Sequence, residues 1–237
     1  MKQNNQNLAF VNIAVSLVLA LASPALGQYR SFATGANWNN PSSALLQTQI
    51  MNNVFAQTKP STETKEPARV AALSCRPNAR ASMVEPIADK LGSDAEERQE
   101  LRKLFAQFLN HFEKEARKDK MPHYVPRAAA AFIALNYFVA AGEEVKAEAI
   151  EDLRNRVDDY LPTNPQYRTF SDRQKQQLYE TLVILGTLVG IGYNDGEEKK
   201  NEKQMDIFRK LGRKNLETLL GVPMEKLKFT EKGFIIQ

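Results

Sequence analysis

Residues 128–141 read Ala-Ala-Ala-Ala-Phe-Ile-Ala-Leu-Asn-Tyr-Phe-Val-Ala-Ala, and residues 182–192 read Leu-Val-Ile-Leu-Gly-Thr-Leu-Val-Gly-Ile-Gly. Both runs are apolar almost all the way round a helix, and a helix without a polar face has to be covered on every side. Both fall short of the ~20 apolar residues that span a bilayer, and the first is bounded by Arg127 and by Gly142, Glu143 and Glu144. The pattern therefore predicts an all-α fold: a soluble helical bundle of about five main helices, in which two central helices, 126–141 and 174–192, are wrapped by three amphipathic ones. Gly186 and Gly190, four apart and so on one face, would let a neighbouring backbone come close.

The wrapping helices follow from spacing. Leu101, Leu104, Phe105, Phe108 and Phe112 recur every three or four residues after Ser93-Asp94-Ala95-Glu96, which matches a capping box with Ser93 as the cap. Arg117, Lys118 and Lys120 suit the negative end of that helix, and Pro122 stops it. Val125-Pro126 opens the first apolar helix. Val145, Ile150, Leu153, Val157, Tyr160 and Leu161 give an amphipathic stretch over 143–161, which Pro162 and Pro165 end. Ser171 and Gln174 make a second capping-box match ahead of Leu178, Leu182, Leu185 and Val189. Tyr193-Asn194-Asp195-Gly196 reads as a turn, and a charged helix runs from Glu197 to about Leu220, closing at Gly221 and Pro223. Residues 226–237 read as an extended tail or short strand, with Phe234, Ile235 and Ile236 packing on the bundle.

Ahead of this domain, placed at 93–237, the chain changes character. Lys2 and an apolar stretch from Leu8 to Leu21, then small residues at Ala25 and Gly27, predict a signal peptide over 1–27 with cleavage before Gln28. Its apolar stretch is too short for a membrane anchor. Export to the periplasm or the medium is the expectation. Residues 28–92 read as a polar, partly disordered arm, in which Asn37 to Ser43 and Thr58 to Pro67 are turn and linker chemistry. Leu45, Leu46, Ile50, Val54 and Phe55 mark one amphipathic helix near 42–57.

Composition narrows function by exclusion. The 237 residues are 43% hydrophobic and 25% charged, which is globular, and 32 Lys+Arg against 28 Asp+Glu leaves +4, too little to make nucleic acid the expected partner. One Cys and two His exclude a disulfide framework and leave little for a metal cage. Cys75, alone in Ala-Leu-Ser-Cys-Arg-Pro-Asn, reads as a thiol of no chemical consequence. There is no Gly-rich phosphate loop after a strand, no Gly-x-Ser-x-Gly elbow and no His-Glu-x-x-His. No cofactor is expected.

The signal-like start, the stretch Asn37-Trp38-Asn39-Asn40-Pro41 and residues 94–221 together resemble exported bacterial helical proteins of uncharacterised families. That resemblance implies a helical fold and no catalytic residues to carry over.

The leading expectation is a non-enzymatic exported protein that binds a protein or envelope component. The alternative is an exported hydrolase with an inter-helical cleft using His111 and Glu115, four apart on one helix, with a water or metal; His123 lies nearby in a Pro-bounded loop. Asp158-Asp159 and Glu143-Glu144 point apart on a helix and read as solvated. Arg209, Lys210, Arg213 and Lys214 cluster beside the apolar side of the last helix, a candidate anionic surface for at most peripheral membrane contact.

Overall fold

The computed structural model describes residues 66–231 and 233–237. The expected signal peptide, the 42–57 helix and the arm as far as residue 65 lie outside the described residues. In chain order the elements are α1 (Glu66–Leu73), α2 (Val84–Leu91), α3 (Ala95–Lys118), α4 (Val125–Ala141), α5 (Ala147–Tyr160), a single turn α6 (Pro165–Arg168), α7 (Asp172–Glu198), α8 (Glu202–Leu220), and the strands β1 (Leu227–Thr230) and β2 (Gly233–Ile236). The fold is all-α with one small hairpin, and α3, α4, α5, α7 and α8 are its main helices.

The apolar runs take the centre, as their composition demands. Every residue of α7 from Leu182 to Tyr193 is buried, and Ala128, Ala130, Ile133 and Val139 of α4 are inaccessible. These two helices and α8 pack pairwise against one another. No described helix is long and apolar enough to cross a membrane. Helix α3 adds Leu101, Phe105, Phe108 and Phe112 to the main core, and α5 adds Leu153 and Val157. Gly142 and Gly221, both at φ 68, end α4 and α8 in the left-handed conformation that costs glycine least.

Several boundaries differ from the sequence reading, each for a local reason. The packed body does not begin at Ser93: Leu73, Cys75, Ile87 and Ala88 belong to the same core as the bundle, so residues from about 70 onward are part of it. Helix α3 is capped by Asp94, whose side chain accepts the Glu97 amide, while Glu97 in turn accepts from the amide and hydroxyl of Ser93. The α7 capping box at Ser171 and Gln174 is present as read. Helix α5 starts at Ala147, four residues late, because Glu143 accepts the Tyr137 hydroxyl and Val145 turns into the core. At the carboxyl end β1 and β2 pair antiparallel, with Leu227 opposite Ile236 and Thr230 opposite Gly233. The Phe229 and Phe234 rings pack at a tilt with centroids 4.7 Å apart, and Phe229 meets the Tyr137 ring edge-on.

The largest difference is at 193–196, where a turn was expected and α7 continues to Glu198. Asp195, in the middle of that stretch, is buried and accepts from Lys199 Nζ at 2.7 Å and Gln204 Nε2 at 2.9 Å. A carboxylate so held has no call on the local amides that would form a turn. The reversal falls instead at Lys200, with φ 53, and Asn201 caps α8. Gly192 and Gly196 then face α8 along α7; a Cβ at Gly192 would overlap the Phe208 ring, and one at Gly196 would press on Met205. Gly186 faces the Phe132 backbone of α4, where a Cβ would lie 3.2 Å from the Phe132 Cα. Gly186 thus meets a neighbouring backbone as the sequence pair suggested, whereas Gly192 makes room for a side chain, the Phe208 ring.

Candidate functional site

The residues with chemical capacity gather where the end of α3, the loop before α4 and the first half of α7 meet. The loop 119–124 joins α3 to α4 in six residues and contains Pro122, which leaves no length to leave the surface of α3. Lys120 and His123 absorb the reversal at φ 59 and 53. Histidine tolerates this region better than most side chains. The result is that His123, ten residues beyond Glu113, lies back against it.

Glu113 Oε1 accepts the His123 backbone amide at 2.9 Å and the His123 Nδ1 proton at 3.0 Å. Tyr179 of α7 donates its hydroxyl to the same oxygen. Burial works against the charged carboxylate, yet the donors from His123 and Tyr179 prevail and hold Glu113 below the usual carboxylate range. Burial, and then the Glu113 charge, push the Tyr179 phenol far up, so it stays a neutral donor. Of the two His123 ring nitrogens, Nδ1 is the one that faces Glu113. The His123 side chain is one-fifth exposed. Beside this cluster, buried Arg127 pairs with Asp119 and lies 5.7 Å from the Phe112 ring centroid.

Cys75 touches the cluster through backbone. Its amide and thiol both donate to the His123 carbonyl, at 3.1 and 3.6 Å, and Ser74 forms an isolated antiparallel bridge with Tyr124. The thiol is free and buried. Burial pushes it up to about 12, which removes the thiolate a nucleophile would need.

From Ser74 to Met83 the chain runs as a strap across α7, and α7 side chains hold its main chain. Gln176 accepts the Asn78 amide at 2.8 Å and donates to the Asn78 carbonyl at 3.1 Å. Glu180 accepts the Met83 amide at 2.7 Å and the Ser82 hydroxyl at 2.9 Å, and also accepts a hydrogen bond from Gln176 Nε2 at 2.7 Å. Lys175 and Tyr167 donate to the last carbonyls of α1, at Ala72 and Leu73. Gln176, Tyr179 and Glu180 are all buried. The sequence did carry a trace of this: Gln176 and Glu180, four apart, sit on a helix that otherwise turns apolar.

The residues singled out from sequence are placed differently. His111 and Glu115 both lie on α3, where Glu115 pairs with Lys118 at 2.7 Å. The carboxylate that meets a histidine is Glu113, and the histidine is His123. Among the described residues no group of three or more His, Cys, Asp or Glu is arranged to hold a metal ion. Asp158 is not solvated: it is buried, accepting from Tyr124 at 2.5 Å and from Arg154 at 2.8 Å. Of the basic cluster on α8, Arg209 lies near Glu202 and over the Tyr193 ring, Lys210 pairs with Asp206 at 2.7 Å, Arg213 pairs with Glu225, and Lys214 is exposed. Acidic neighbours thus offset much of its field.

Glu113 makes the stability acid-sensitive in a definite direction. Its carboxyl is more acidic folded than unfolded, so on acidification the unfolded chain takes the proton first. The stabilisation is complete above the ordinary value of 4.5 and is lost as pH falls through the lower folded value. Thermal midpoints of wild type and Glu113→Gln measured from pH 7 to pH 2 are expected to differ at neutral pH and converge in acid. A gap that stays constant over this range would contradict the assignment.

No curated protein and no solved structure matches the chain. A family model matches residues 6–237, strap, cluster and hairpin included, and the chain belongs to that family, described as Family of unknown function (DUF6683).

Proposed function

We propose that this is an exported, non-enzymatic helical protein that binds a protein or a cell-envelope component, with no nucleic-acid partner. One observation supports the reading above others: α7 side chains and the His123 carbonyl hold the main chain of the Ser74–Met83 connection, using Gln176, Glu180 and the Glu113 cluster. Groups with catalytic capacity serve as fasteners there. The thiol is neutral, the phenol is neutral, and Glu113 Oε1 already takes three donors. Surface attachment is at most peripheral.

The test is affinity capture from envelope and medium fractions with the full chain and with a chain lacking residues 28–65, a deletion that stops short of the packed strap. Recovery of the same partner by both assigns binding to the bundle. The oriented Glu113–His123 pair is what a hydrolytic alternative would use, in place of His111 and Glu115. Turnover of an ester, peptide or glycoside that disappears in Glu113→Gln would overturn the binding reading.

The α8 cations allow a separate prediction. Each cation near an anionic surface contributes about 1 kcal/mol before screening, and the acidic partners of Arg209, Lys210 and Arg213 reduce that. Co-sedimentation with anionic vesicles is expected to be weak at low salt, absent at high salt, and lost when Arg209, Lys210, Arg213 and Lys214 become Gln. Binding that survives high salt, or that is equal in the variant, would place the contact elsewhere.

A further inference from the structure

At one end of the molecule the cations are not offset as they are on α8. The Arg76 guanidinium lies 3.8 Å from the Asp172 carboxylate, the Tyr167 hydroxyl reaches the Leu73 carbonyl, and Gln176 holds Asn78. The end of α1, the 74–83 connection, α6 and the first turns of α7 therefore lie side by side. Arg76, Arg80, Arg168 and Arg173 are all exposed there, Arg76 with 91% of its side chain in solvent. Lys175 joins them, its Nζ on the Ala72 carbonyl and 5.6 Å from the Tyr167 ring centroid. Among the described residues Asp172 is the one carboxylate that pairs with any of these five cations, whereas Arg209, Lys210 and Arg213 of α8 each have an acidic neighbour. Glu180, also on α7, is turned inward on the Ser82 and Met83 groups.

Like charges held together on one surface repel one another, and an anionic partner relieves that repulsion while being steered toward it. The five cations come from the connection, α6 and α7, so they suit a series of negative groups better than a single small anion. Four of them are arginines, whose planar forks pair with carboxylates two bonds at a time. The other exposed residues among them, Ala71, Ala72, Pro77 and Ala79, are small, so a partner's main chain can come close. The exposed large hydrophobics of the described residues are Phe138 and Ile235, on α4 and β2. This end therefore offers no large apolar side chain to enter a bilayer and no exposed aromatic to stack on a base. We propose that Arg76, Arg80, Arg168, Arg173 and Lys175 form the docking surface for an acidic segment of a partner protein. The proposal rests on the binding reading above and deepens it by naming the surface and the ligand class.

The probe is a short fluorescent oligoglutamate, titrated into the full chain by anisotropy at low and high salt. Wild type is expected to bind it and to lose most of that affinity at high salt. Changing Arg76, Arg80, Arg168 and Arg173 to Gln is expected to weaken binding at least tenfold at low salt. These side chains are exposed and fasten nothing in the core, so the variant keeps its fold. The Gln variant of Arg209, Lys210, Arg213 and Lys214 removes the same net charge and serves as the control, expected to stay within twofold of wild type. Equal weakening in both variants, or none in the first, would overturn the proposal. So would a polyphosphate or an anionic vesicle that binds more tightly than oligoglutamate at equal charge through the same four arginines, because the surface would then belong to another class of partner. The envelope capture experiment fails separately: a partner still recovered by the variant lacking Arg76, Arg80, Arg168 and Arg173 removes this surface and leaves the binding reading standing.

Discussion

Gly192→Ala is expected to destabilise the protein by about 3 kcal/mol, at the upper end of overpacking effects, although alanine is the better helix former by about 1 kcal/mol. The added Cβ would meet three atoms of the Phe208 ring. That ring is buried in a cluster with Val139, Val189, Tyr193, Met205 and Leu211. One turn further along the same face of α8, Gly212 lies against α4, and a Cβ there would fall 2.9 Å from the Asn136 carbonyl oxygen. Helix α8 is therefore packed closely on α4 as well as on α7. For a chain of this size the thermal midpoint should fall by roughly 6–12 °C. Phe208→Ala opens the space, so the alanine at 192 should cost much less in that background. Equal cost in both backgrounds would show that the close approach of α7 and α8 is misplaced.

Glu113→Ala is expected to cost about 3 kcal/mol, because it leaves the His123 amide, His123 Nδ1 and the Tyr179 hydroxyl without their acceptor in a mostly buried site. Glu113→Gln keeps one acceptor oxygen and should cost less. Tyr179→Phe removes a single donor and should cost about 1 kcal/mol. Urea denaturation of the three variants checks the order. A Glu113→Ala chain as stable as Tyr179→Phe would mean that the carboxylate does not organise the loop before α4.

The central helices were legible because continuous apolar sequence leaves few alternatives: 128–141 and 182–192 had to be covered, and α4 and α7 are. The Gly221 stop and the Ser171 cap were legible because their signals are local and chemically specific. The end of α7 was not, since Asp195 and Gly196 favour a turn only in isolation. Asp195 is held by Gln204 on the next helix, and no local rule reports a tertiary partner. The same limit hid the site. Glu113 looks like one more surface charge on α3 until the tight 119–124 loop returns His123 to it and α7 brings Tyr179. The reading of 28–92 as an arm failed from residue 70 on because short patches such as Val70 to Leu73 and Met83 to Leu91 lack enough periodicity to reveal a face. Their polar neighbours Asn78 and Ser82 are the groups that Gln176 and Glu180 bind.

The central claim, that the strap is a unit fastened through its main chain to α7 and the His123 carbonyl, is tested most directly by amide hydrogen exchange resolved at Cys75, Asn78 and Met83. These three amides donate to His123, Gln176 and Glu180 respectively. They are expected to exchange with one common opening free energy, below that of core amides in α4 and α7, and to accelerate together in Gln176→Leu while the core amides hold their protection. Acceleration confined to Asn78, or exchange of all three only at the global rate of the core, would contradict it.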